Sequence, residues 1–390
     1  MGLARDLKWP WVAADLNYVS TDQQQRARDD LHRYLGVLVG QSGSDLHVKA
    51  GTKPKIRVDG ALRALSDEAD LTAADTAAMA AVVMRPEVAR HFEENNEADC
   101  AYSVPGLARF RVNVYRQRGS VGIVMRLVRT SAFSFEELGL PPAVQQLADE
   151  QRGLILVTGP TGSGKTTTLA AMIDHINATR ECNIVTIEDP LEYLHNDKMA
   201  SISQREVGFD TRSFAAAMRG AMRQDPDVIL VGEMRDQETV EAALAAAETG
   251  HLVLSTLHTI DAPETINRIV DFFPAYQQNQ IRVTLSGSLR GTVCQRLVPR
   301  ADTSGRAAVV EIMVVNGRIQ NCILDKAKTG DIAEIIKDGD YYGMQSFDQA
   351  LVGLIEDGVV NFRDALMAAS NPHDLKVMLQ QRGLVAAGAR

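Results

Sequence analysis

Between Leu154 and Thr168 the chain reads LILVTGPTGSGKTTT. The β-prone apolar run Leu154 to Val157 leads into Gly159-Pro160-Thr161-Gly162-Ser163-Gly164. Lys165, Thr166 and Thr167 follow, and then apolar residues at helical spacing, Leu169, Met172, Ile173 and Ile176. This is G-x-x-x-x-G-K-[ST] in the strand–loop–helix setting that the phosphate-binding loop requires. Glycines let the backbone N–H groups turn inward around phosphate oxygens, and the helix N-terminus adds partial positive charge. Lys165 is placed to reach the β- and γ-phosphates, and the Thr166 hydroxyl to hold Mg²⁺. The stretch therefore constrains the chain to an α/β nucleotide-binding core and implies ATP with Mg²⁺ as its ligands. A glycine-rich turn matching by chance would not bring strand, helix and tandem threonines with it.

A chain of 390 residues has room for two or three domains. With 45% hydrophobic and 23% charged residues it has the make-up of an ordinary globular protein. Its net charge of −9 leaves no global basic footprint, so no nucleic-acid partner is expected. Cys100, Cys182, Cys294 and Cys322 form no C-x-x-C pair, which argues against structural zinc and suits a reducing cytosol. No apolar stretch approaches the length of a membrane span, and the N-terminus lacks the apolar core of a secretory signal.

Residues 1–26 read as a poorly ordered extension, in which Trp9-Pro10-Trp11 is either a docking element or part of the leader. Helical spacing sets in at Arg26 and runs to Val39. Alternating segments at Leu46 to Lys49 and Lys55 to Val58, a helix over 72–94, and strands at Ala108 to Gln117 and Val121 to Val128 then predict an α+β domain over 27–130. An apolar linker, 131–149, leads to the P-loop strand. Beyond it, strands at Asn183 to Ile187, Val228 to Val231 and Leu252 to Ser255 alternate with helices at Phe214 to Arg223 and Thr239 to Glu248. Such alternation predicts a mostly parallel sheet covered on both faces, placed here at 150–315. Helical spacing returns from Phe347, so 316–383 is expected to be a C-terminal helical region, with Asn371-Pro372 opening the last helix and 384–390 a frayed tail.

Chemistry-bearing residues cluster where those strands end. In DVILVGEMRD, Asp227 to Asp236, the apolar strand ends in Gly232 and Glu233. Ligands sit beyond the carboxyl ends of parallel strands, which makes Glu233 the candidate for polarising the attacking water, directly or through Mg²⁺. VTIEDPLEY, Val185 to Tyr193, places Glu188 and Asp189 at another strand end. Paired carboxylates there bind Mg²⁺, orient water or cap the next turn. GHLVLSTLHT, Gly250 to Thr259, has His251 and His258 bracketing a strand, and His258 lies at the catalytic edge. Phosphoryl transfer needs positive charge beyond Lys165, and Arg111, Arg126, Arg219 and Arg223 are the candidates to supply it.

These segments, in this order, resemble the secretion-type ATPases of type IV pili and type II secretion. Within that group the chain is similar to the twitching-motility, pilus-retraction ATPases. The resemblance covers about residues 28 to 380: SDLHVKAGTKPKIRVDG is the N-terminal opening, GPTGSGKTTT the Walker A box, IEDPLEY the Asp box, ILVGEMRD the Walker B box, GHLVLSTLHT the His box and GMQSFDQAL a C-terminal segment. It implies a PAS-like first domain, a RecA-like core and a homohexameric ATP-hydrolysing ring. It further implies work on an inner-membrane pilus platform protein from the cytoplasmic side, and contact with related pilus ATPases. By the same resemblance Glu233 is the catalytic base, and Arg111, Arg126, Arg219 and Arg223 fall on arginine positions used around nucleotide. Retraction members carry AIRNLIRE near the C-terminal helices; here Gly317 to Asp325 reads GRIQNCILD, keeping Ile319, Asn321 and Ile323 but few of the charges. An accessory or assembly ATPase is the alternative, and a RecA-like nucleic-acid motor the alternative outside this group.

Overall fold

The computed structural model describes residues 20–129 and 132–385. The proposed docking element at Trp9–Trp11, most of the 1–26 extension and the end of the 384–390 tail lie outside them. The chain divides into two compact units, residues 1–130 and 131–390.

The first unit opens with helix α1, Thr21–Gly40. It starts five residues earlier than the apolar spacing predicts, because Ser20 and Gln23 form a capping box: Ser20 Oγ accepts from the Gln23 N–H and Gln23 Oε1 accepts from the Ser20 N–H. Strands β1 (Asp45–Lys49), β2 (Lys55–Val58) and β3 (Ala61–Ala64) come next, then helices α2 (Ala73–Val83) and α3 (Pro86–Asn95). The single helix expected over 72–94 is broken in two, since Pro86 holds the preceding Arg85 in an extended conformation. Strands β4 (Glu97–Val104), β5 (Ala108–Gln117) and β6 (Ser120–Leu127) complete an antiparallel six-stranded sheet of order β3-β2-β1-β6-β5-β4. Alternate residues of β5 and β6, Phe110, Val112, Val114, Ile123 and Met125, pack with Leu31, Leu35, Met79 and Phe92 from the helices. The intervening residues, Arg111, Asn113 and Arg126 among them, are left on the opposite face.

The second unit begins with α4 (Pro142–Ala148) and β7 (Gly153–Thr158), followed by α5 (Lys165–Thr179), β8 (Asn183–Glu188), β9 (Ser201–Glu206), α6 (Phe214–Ala221), β10 (Val228–Val231), α7 (Gln237–Glu248) and β11 (Leu252–Leu257). After these come α8 (Ala262–Asp271), α9 (Ala275–Ser288), β12 (Leu289–Pro299), β13 (Arg306–Val314), α10 (Gly317–Leu324), α11 (Ile332–Lys337), α12 (Phe347–Glu356), α13 (Phe362–Ala368) and α14 (Pro372–Gln381). The sheet order is β13-β12-β7-β11-β10-β8-β9, parallel throughout except for β13. Both faces are dry. Leu154 and Leu156 join the core with α6 to α14, whereas Ile155 and Val157 join the one with α4 and α5. A strand buried on both sides shows no polar alternation, which is why these strands read as continuous apolar runs. Among the described residues no helix is long and apolar enough to cross a membrane.

Candidate active site

Register assembles the site. Thr158 at the end of β7 pairs with Leu257 of β11, Val231 of β10 with Ser255 of β11 and with Ile187 of β8. The residues that follow these ends, Gly159, His258, Gly232-Glu233 and Glu188, therefore emerge at one edge of the sheet. They open into a cleft of about 250 Å³, lined by Thr161, Lys165, Thr166, Glu188, Glu233 and His258 among others.

The loop fits a polyphosphate. Gly159 and Gly164 sit at φ +142° and +93°, in the left-handed region. A Cβ on Gly159 would stand 2.3 Å from the backbone carbonyl oxygen of Gln295, and one on Gly164 would stand 2.7 Å from its side-chain Nε2. Ser163 is 3% exposed, and its hydroxyl has no hydrogen-bond partner among the described residues, so a group arriving in the loop has an unclaimed donor to meet. Lys165 Nζ donates to the carbonyls of Gly159 (2.8 Å) and Pro160 (3.1 Å), which curl the loop around it. Burial holds this ammonium below the usual lysine pKa, opposed by the charges of Glu233 and Glu192.

His258 joins the loop to the candidate base. Its Nδ1 lies 3.5 Å from Lys165 Nζ and its Nε2 3.0 Å from Glu233 Oε1. An ammonium offers only donors, so Nδ1 is the acceptor and Nε2–H donates to Glu233. The other oxygen of Glu233 receives Arg235 at 2.7 Å. Burial would raise the Glu233 carboxyl, but the hydrogen bonds from Arg235 and His258 and the Arg235 charge prevail and hold it below the usual range. It is therefore an ionised carboxylate pointing into the cleft. Glu188 differs. It is buried, accepts from Thr186 Oγ1 at 2.7 Å, and burial pushes its carboxyl up to about 7 against the hydrogen bonds from Thr186 and Gln204. A carboxyl titrating near neutrality is suited to proton exchange. Asp189 also lines the cleft, but is exposed.

Not every expected residue converges on this cleft. Thr167 Oγ1 is 3.0 Å from the Tyr193 hydroxyl, which supports the loop from its side. Arg219 is exposed and pairs with Glu238, and Arg223 donates to the Arg219 carbonyl at 3.0 Å. Neither lines the cleft. In the first unit Arg111 and Arg126 stand directly opposite each other on β5 and β6, and Arg126 Nε donates to Asp45 Oδ1 at 2.8 Å. There they line an open groove with Asp45, Asp99 and Asn113. His251, at the far end of β11, hydrogen-bonds the Ala246 carbonyl at 2.9 Å. Sequence reasoning missed Arg235, whose only signal was its place two residues after Glu233. It also missed Gln295, whose only signal was a polar residue inside an apolar run.

The profile of type II/IV secretion system proteins matches residues 21–356. The chain belongs to that family. Within this type II/IV secretion family it is 44% identical over 345 residues to the type IV pilus retraction ATPase PilT of Pseudomonas aeruginosa, covering 88% of this chain and 99% of that protein. To the type IV pilus ATPase PilU of the same organism it is 40% identical over 351 residues, covering 90% and 91%. The crystal structure of the pilus retraction motor PilT with bound ADP superposes with a TM-score of 0.81 at 44% identity, covering 88% of this chain and 99% of that one. The α/β fold class expected from the sequence is that of this type II/IV secretion protein, and with its P-loop site the chain is a nucleotide-binding ATPase.

Proposed function

We propose that the chain is an ATP-hydrolysing motor that retracts type IV pili, acting as a homohexamer on an inner-membrane platform protein from the cytoplasmic side. The observation that carries the chemistry is the Lys165–His258–Glu233 line at the edge of the sheet, with its contacts of 3.5 Å and 3.0 Å. Lys165 turns from the loop carbonyls to the β- and γ-phosphates. Glu233 then orients a water for in-line attack on the γ-phosphorus and accepts its proton while the bond to the bridging oxygen breaks. His258 holds Glu233 at a fixed distance from the phosphate-binding lysine. Thr166 and Glu233 would hold Mg²⁺, which supplies charge neutralisation of the phosphates.

Charge supports assembly. Glu188, Asp189, Glu192 and Glu233 line the cleft, against the cations of Lys165 and Arg235. A triphosphate adds more negative charge than Lys165, Arg235 and one Mg²⁺ offset, so further cations brought to the γ-phosphate would stabilise the transition state. Arg111, Arg126, Arg219 and Arg223 are proposed to supply them from a neighbouring copy. A second reading, an accessory pilus ATPase, is favoured by the likeness to PilU and by the charge-poor α10. Deleting the gene and counting surface pili separates them. Hyperpiliated cells establish retraction, bald cells an assembly role, and unchanged pilus number with weakened retraction force an accessory one.

A further inference from the structure

Gln295 does not line the cleft, yet it touches both ends of the loop that does. It lies on β12, whose parallel pairing with β7 places Cys294 opposite Thr158 and Gln295 beside the first loop residue. On its other side Gln295 pairs with Val310 of β13, so the strand is held in register from two directions. The residue is 3% exposed. Its backbone carbonyl oxygen packs against Gly159, leaving no room there for a Cβ, and its side-chain amide nitrogen Nε2 packs against Gly164. Its Oε1 accepts from Thr168 Oγ1 at 2.8 Å, in the first turn of α5.

We propose that Gln295 is a positioning residue for phosphate binding, bracing the two ends of the P-loop so that its N–H groups converge before nucleotide arrives. This rests on the nucleotide-binding reading above. The brace acts on parts of the loop that hold the phosphates equally in the substrate and in the transition state. Uniform binding of that kind appears in KM and Kd, not in kcat. Preorganisation is the physical content: a loop that is already closed loses less conformational freedom when it binds.

The test uses the full chain with Gln295→Met, which keeps length and the backbone carbonyl at Gly159 but loses both side-chain polar atoms, Thr168→Val, which loses the donor, and Thr168→Ser, which keeps it. Steady-state phosphate release gives KM and kcat, and anisotropy of a fluorescent ATP analogue gives Kd. Gln295→Met and Thr168→Val are each expected to raise Kd and KM about three- to tenfold, the scale of one hydrogen bond, with kcat changed less than about twofold. Thr168→Ser is expected to bind as wild type does. The double variant is expected to be no weaker than the worse single one, because both remove the same bond. Wild-type Kd in both single variants, additive losses, or a fall in kcat at unchanged Kd would overturn the proposal. Should Gln295→Met fail to fold, the Thr168 pair decides alone: equal affinities of Val and Ser overturn it. Wild-type chain that fails to bind the analogue overturns the nucleotide-binding reading instead.

Discussion

Lys165 and Glu233 come into one cleft for different reasons. Lys165 is placed by the loop itself, and two loop carbonyls within 3.1 Å fix its ammonium. Glu233 is placed by the pairing of β10 between β8 and β11. Replacing Lys165 by Ala is expected to abolish phosphate release, since the β/γ-phosphates lose their principal cation; a mutant hydrolysing at close to the wild-type rate refutes the assignment. Glu233→Gln is expected to keep nucleotide affinity and to slow turnover about 10²–10⁴-fold, the scale of a general base. Equal losses of affinity and rate would mean that Glu233 is mainly structural or mainly a metal anchor, and not the base. Glu311 on β13 gives a prediction about stability. It is 8% exposed, accepts from the Ala262 N–H that opens α8, and burial pushes its carboxyl up to about 7 from the ordinary 4.5. Between these two values the folded chain holds a proton that the unfolded chain releases, so stability falls as pH rises through that window. Glu311→Gln is expected to be more stable than wild type at pH 8, by up to about 3 kcal/mol, and nearly equal to it at pH 4. Melting curves at the two pH values check it.

At the scale of elements, β12 does two jobs with consecutive residues. Gln295 faces the P-loop. Arg296 stacks over the Phe347 ring of α12, 3.8 Å from its centroid, and donates to the Ala368 carbonyl at the end of α13 at 2.6 Å. The C-terminal helices are thus fastened to the strand next to the nucleotide-binding one. Arg296→Ala should cost about 1–3 kcal/mol from the lost cation–π contact and hydrogen bond. Denaturant melts measure this, and an unchanged midpoint would show that the helices are held by apolar packing alone. Helix starts obey a more local rule. Ser20, Thr72 and Ser346 each form a capping box with the residue three places on.

Across the whole molecule, the arginines proposed for the transition state are divided between two units. Arg126 is largely exposed and paired with Asp45, which is also within 3.8 Å of Arg57. Removing Arg126 therefore leaves the buried carboxylate with a second cation. Arg126→Ala is expected to slow turnover by about 10³-fold, the lower range for an arginine acting on a transferring phosphoryl group, with the second unit still able to bind nucleotide. Mixing Arg126→Ala with Glu233→Gln subunits then reads the geometry. If the arginine acts across a subunit boundary, some mixed interfaces contain an intact site and activity partly returns. If it acts within its own subunit, mixing restores nothing. Full activity of Arg126→Ala by itself removes the residue from the mechanism.

The P-loop, Glu233, Glu188 and His258 were legible in the sequence because each depends on local order: glycine spacing, an apolar strand, and a polar residue at its end. The parallel sheet followed from the same alternation. What stayed hidden depends on partners far away in the chain. β9 is a polar edge strand with no apolar rhythm, and 260–346 gave no expectation for α8, α9, β12 or β13. The helix expected at Phe214 to Arg223 would have carried both Arg219 and Arg223, but α6 ends at Ala221, and Arg219 meets Glu238. Gln295 acquires its contacts only because β12, more than 130 residues after β7, pairs beside it. Local sequence specifies backbone geometry and side-chain chemistry. Which strands become neighbours is decided by how two dry faces of one sheet are buried together, and that choice sets what each side chain touches.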